Sequence, residues 1–114
     1  MARTVYSALL ATATSVSAPE SLGGPPSGYL WVMRCAVATF GSYLGYAAAA
    51  FSVGGEDPWL WLCESSSAKL VGFQQQSFTW EGRIVVPADT ELWVKPSDGD
   101  TCDVLVSGYQ LLLP

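Results

Sequence analysis

Histidine is missing from this 114-residue chain, and charge is scarce: five Lys and Arg against ten Asp and Glu, 13% of the residues. Each shortage removes a class of function. Without imidazole there is no Ser–His or Cys–His dyad and no histidine ligand for a metal. Neutralising nucleic-acid phosphates takes clustered cations. Here Arg3, Arg34, Lys69, Arg83 and Lys95 are scattered singly and the net charge is −5, so no direct nucleic-acid binding is expected. No uninterrupted apolar run reaches the ~18 residues of a membrane-crossing helix, so no membrane partner is expected. The mildly apolar stretch after Arg3 leads to Val16-Ser17-Ala18, which looks like a signal-cleavage site. Its wealth of Thr and Ser, and Pro19 immediately after, oppose that reading.

Cysteine is sparse too. Cys35, Cys63 and Cys102 are far apart, odd in number and without a C-x-x-C pair, which argues against a closed disulfide framework and against zinc. Cys35 and Cys63 lie in apolar runs and read as buried thiols, reduced in a protein made in the cytosol. Glu56-Asp57 and the group Asp98, Asp100 and Asp103 read as turn acids, because the rest of a calcium loop is missing. Gly23-Gly24-Pro25-Pro26 has none of the Lys and strand–loop–helix context of a phosphate cradle. No G-x-S-x-G occurs. No catalytic group, cofactor or metal is expected, and the chain reads as a non-enzyme.

What is present in abundance is apolar. Half the residues are hydrophobic, with five Trp, five Tyr and four Phe. A chain this size forms one core and buries somewhat more than about 60% of its unfolded surface. The remaining apolar material points to surface committed to other subunits.

Gly, Pro, Asp and Ser punctuate the chain into short pieces, the pattern of an all-β domain. Strands are expected at 3–10 with a continuation over 11–16, at 29–40, 43–53, 69–73, 76–80, 83–86, 91–95 and 101–112, with an apolar run at 59–63. In 29–40, Trp31, Met33, Cys35 and Val37 alternate with Val32, Arg34, Ala36 and Ala38, so cover on both faces is expected. Propensity alone favours helix at Ala47 to Ala50. Gly45 and Gly54 stand too close for a stable helix, so a strand of small side chains against a close neighbour is expected. Leu92 and Val94 share one face and Trp93 takes the other. Residues 96–100 form the strongest hairpin signal, Asp98-Gly99, and Gly108 marks a bulge. The expectation is a single-domain antiparallel β-sandwich, jelly-roll-like, with about eight short strands. Residues 29–114 make the sandwich. Residues 1–28 supply an N-terminal strand and a long Gly/Pro-rich loop at 17–28, an anchoring or swapping arm.

Trp59 and Trp61 are two residues apart, so on a strand both rings face one way. Three readings stand: a stacking platform for sugar, a subunit interface, or core. Trp31, Trp80, Trp93 and Tyr109 complete the aromatic candidates for interface or stacking.

Three segments, GYLWVMRCAVATF, FTWEGRIVVPADTELWV and GDTCDVLVSGYQLL, resemble the small β-sandwich structural proteins of tailed bacteriophages. Gly28, Trp31, Val32 and Arg34 match the first element. Trp80, Gly82, Arg83, Val85, Pro87, Ala88 and Thr90 match the second. Asp103, Val104, Val106, Ser107, Gly108 and Tyr109 match the third. The turn at Ala88-Asp89-Thr90 lacks the family's usual Gly, so a different turn geometry is expected there. The resemblance implies a virion protein made in the host cytoplasm, most often a homotrimer, that binds the major capsid protein or another virion protein. Its place is capsid, neck or tail, with a capsid decoration (cement or head-fibre) subunit favoured. A carbohydrate- or receptor-binding sandwich of a host-attachment device is the alternative.

Overall fold

Strand-forming residues dominate 29–40, and they form the longest strand, β3 (Tyr29–Phe40), at the centre of one sheet. The computed structural model describes residues 8–40, 47–57, 59–65, 76–97 and 101–114. The expected strand at 69–73, the strand beginnings at 3–7 and 43–46, the acids Asp98 and Asp100 and the Cys63 side chain lie outside that description. The other strands are β1 (Ala8–Val16), β2 (Glu20–Ser21), β4 (Ala47–Val53), β5 (Leu60–Ser65), β6 (Gln76–Val86), β7 (Leu92–Pro96) and β8 (Cys102–Leu112).

They form two four-stranded antiparallel sheets, ordered β1-β8-β3-β6 and β2-β7-β4-β5. The logic of that order is simple. Pairs β1–β8, β2–β7, β3–β6 and β4–β5 are the rungs of one long hairpin folded between β4 and β5. Rolling the hairpin up sets β8 beside β3 and β7 beside β4. The result is the eight-stranded jelly roll of two Greek keys. The run of four alanines is strand β4, as expected, with Ala48, Ala49 and Ala50 fully buried.

Core side chains come from the facing sheets: Trp31, Met33, Phe40, Val86, Val104 and Val106 from one, Phe51, Leu92 and Val94 from the other. The Trp31 indole nitrogen, buried with its ring, donates to Gln110 Oε1 at 3.0 Å, the polar outlet a buried indole needs.

A line of bulges crosses the first sheet. The register shifts between Leu9 and Ala11 on β1, and between Met33 and Cys35 on β3 against both its neighbours. This corrects the alternation expected for β3. Trp31 and Met33 face the core, but beyond Arg34 the inward set is Ala36, Ala38 and Phe40. An inserted residue flips every later side chain to the other face. Cys35 is therefore only half-buried, whereas Cys102 is the core thiol. The same seam explains why 76–80 and 83–86 are one strand, β6, rather than two.

The segment at 17–28 is no free loop. It contains β2, paired with Trp93 and Val94. Leu22 N donates to Leu92 O at 2.7 Å and Leu92 N to Gly23 O at 2.8 Å. From Ala8 onward the stretch expected as an arm is paired into both sheets.

At the turn lacking glycine, Asp89 itself takes φ 60°, the left-handed region that Asp tolerates better than most residues. Asp89→Gly is expected to raise stability by about 0.5 kcal/mol. It relieves part of a ~1–2 kcal/mol conformational cost while adding backbone entropy to the unfolded chain. A urea-denaturation midpoint checks the sign.

Candidate functional site

Two outer sheet faces and one cleft between the sheets carry the features that need explaining. On β4, Ala49 and Phe51 point into the core, so Ala48, Ala50 and Ser52 point outward. Ala50 stands opposite Lys95 on β7 and opposite Trp61 on β5. The three strands span roughly 10 Å across. A methyl group in the middle leaves room for the flanking side chains to meet above it. Lys95 Nζ lies 4.4 Å from the Trp59 ring centroid and 5.8 Å from that of Trp61. Both distances are within cation–π range. Trp61 is 46% exposed, while Ala50 beneath has no exposed surface.

Trp93 joins the same face, since its partner Ser52 points outward. The turn after β4 packs onto it. A Cβ on Gly55 would come 2.8 Å from the Trp93 indole nitrogen, and Gly55 also has φ +76°, so glycine is required there twice over. Ser52 Oγ holds this turn by donating to Glu56 O at 2.6 Å.

Of the six aromatic candidates, Trp59, Trp61 and Trp93 are thus brought together. Trp31 belongs to the core, and Trp80 packs half-buried against it. Tyr109 lies on the outer face of the other sheet, opposite Val32, which in turn faces Val85. Lys95 was not singled out from the sequence. Its only signal is the two-residue spacing from Trp93, and that spacing says nothing about β5.

The outer face of β1-β8-β3-β6 carries large exposed apolar side chains among hydroxyls and scattered charges. Leu9 is 61% exposed, Leu105 42% and Val85 47%. A shallow depression of about 300 Å³ runs between Thr12, Thr14, Val37, Thr39 and Leu105 and ends at Asp103. Among the described residues the other charges at this face are Glu81, opposite Cys35, and the exposed Arg34 and Arg83 at the bulge line.

The cleft, of about 320 Å³, lies at one end of the core over Met33, Phe51, Ile84 and Leu92, with Glu56, Asp57 and Leu60 at its mouth. Among the described residues no three His, Cys, Asp or Glu side chains gather to hold a metal. Asp103 instead accepts a hydrogen bond from Ser15 N at 2.9 Å. No described helix is long and apolar enough to cross a membrane.

No protein-family model matches the chain, and no curated protein matches it.

Proposed function

We propose that this protein is a non-enzymatic structural subunit of a tailed-phage virion, most simply a capsid decoration subunit, that self-associates and binds the particle surface. The observation that carries the reading is the outer face of β1-β8-β3-β6, where the exposed Leu9, Leu105 and Val85 share a surface with Val37 and hydroxyl side chains. Exposed apolar side chains of this kind are what subunit packing buries. The motif likeness to phage structural proteins supports the address. The jelly roll is compatible with it but does not decide it, because capsid proteins and lectins both use that fold. The count of three rests on the family likeness alone.

Two measurements test the proposal. Mass spectrometry of purified particles finds the protein in stoichiometric amount; its absence overturns the virion assignment. In sedimentation, the recombinant chain runs as a multiple of 12.1 kDa. Leu105→Glu places a carboxylate in the buried contact and raises the dissociation constant at least about 100-fold, from the ~3 kcal/mol or more that an unpaired buried charge costs. A wild-type chain that stays monomeric at high concentration, or a variant that associates like wild type, removes lateral packing through this face.

A further inference from the structure

The aromatic face of the other sheet asks for a different partner. Protein–protein contacts are enriched in Trp at their centres but depleted in Lys. Here a lysine stands in the middle of the indoles, its Nζ 4.4 Å from one ring and 5.8 Å from the other. Among the described residues those rings are the contacts shown for the Lys95 ammonium. Cation–π contact leaves an ammonium's N–H donors able to meet oxygen atoms of a ligand while the indoles hold the side chain in place.

We propose that the outer face of β2-β7-β4-β5 is a carbohydrate-binding platform. A pyranose ring stacks its C–H face on Trp61, and Lys95 donates hydrogen bonds to the sugar's hydroxyl or carboxyl oxygens. The division of labour follows from the geometry. Lys95 lies closest over Trp59, so Trp59 serves as the positioning residue for the ammonium. Trp61, 46% exposed, offers the open ring. Ala50 has no exposed surface; its methyl lets the Lys95 and Trp61 side chains close over it from the two flanking strands, and the outer side of those side chains is the surface offered to a ring. The rings and the lysine sit on β5, its entrance and β7, so the arrangement is built before the ligand arrives and little ordering is required. This goes beyond the structural role proposed above and uses the opposite sheet, so a packed subunit keeps the platform available.

The test is a microarray of bacterial O-antigen and capsular polysaccharides probed with wild-type protein and with Trp61→Ala, Trp61→Phe and Lys95→Met. Wild type binds a defined subset of spots. Trp61→Ala loses roughly tenfold or more in apparent affinity, as truncating an aromatic anchor does. Trp61→Phe keeps part of the binding, and Lys95→Met, which preserves the stem, loses several-fold. The polysaccharide that scores highest also shifts the tryptophan emission of the wild type on titration. Trp61→Phe and Lys95→Met carry the test if Trp61→Ala fails to fold. The proposal is overturned if wild type binds no glycan, or if folded variants bind within twofold of it. It is equally overturned if these substitutions change the sedimenting mass, because the patch is then a subunit contact.

Discussion

Replacing Gly108 by alanine is expected to cost about 4 kcal/mol or more, and by valine to leave little folded protein. Gly108 is buried in β8, paired with Met33 across the bulge line. A Cβ built there runs into the carbonyl oxygen of Val32 and comes 3.0 Å from Arg34 N. Both obstacles are backbone of the central strand, so no rotamer change relieves the clash. Either β3 and β8 separate, breaking ladder hydrogen bonds, or the bulge moves and turns one end of β3 the wrong way. Losses of this size belong to the rare tail of single substitutions. They consume a large part of the roughly 5–15 kcal/mol that holds a domain together. Ser107→Ala, one residue away and half-buried on the outer face, serves as the control and stays within about 0.5 kcal/mol. Urea denaturation of the three chains decides it. A Gly108→Ala midpoint close to wild type means that the two backbones do not approach each other in solution as they do here.

Gly108 also shows where sequence reading reaches and where it stops. Period-two patterning places most strands, and turn residues place most of the breaks. The class of fold is legible because short apolar runs between Gly, Pro and Asp admit few alternatives. An irregularity at Gly108 is legible as well, but β8 itself carries no inserted residue there: the extra residues are Leu10 on β1 and Arg34 on β3. That the seam crosses β3 and reverses the inward set after Arg34 is not, because the insertion is defined only against a neighbouring strand. The two-residue strand β2 is invisible for a related reason. Its residues Glu20 and Ser21 have no strand propensity of note, and the pairing with Trp93 and Val94 exists only once the chain has rolled up. The candidate platform is half legible. Trp59 and Trp61 stand out by spacing, yet Lys95 joins them through the gap above Ala50, a relation among three strands far apart in sequence.

Phe51→Ala is the second large effect, expected at ~3–5 kcal/mol. The reason lies in the composition of β4. Its fully described inward positions before Phe51 hold only the methyl of Ala49, so this strand contributes one large side chain to the core. Phe51 is 2% exposed and borders the cleft together with Met33, Ile84 and Leu92. Deleting the ring therefore enlarges an existing opening instead of leaving a sealed void. Small alanines cannot move in to fill it, because both faces of β4 are already closed at Ala48, Ala49 and Ala50. Phe51→Leu keeps most of the volume and is expected to lose roughly 1 kcal/mol. Urea denaturation checks both: the midpoint falls in that order, with an unchanged m-value if the loss lies in packing alone. A Phe51→Ala loss near 1 kcal/mol would mean that water or a neighbouring segment already occupies the space beside the ring. In that case the facing sheets are held chiefly by Leu92 and Val94 against Met33 and Val106, and the alanine strand serves mainly as the floor of the platform on its other face.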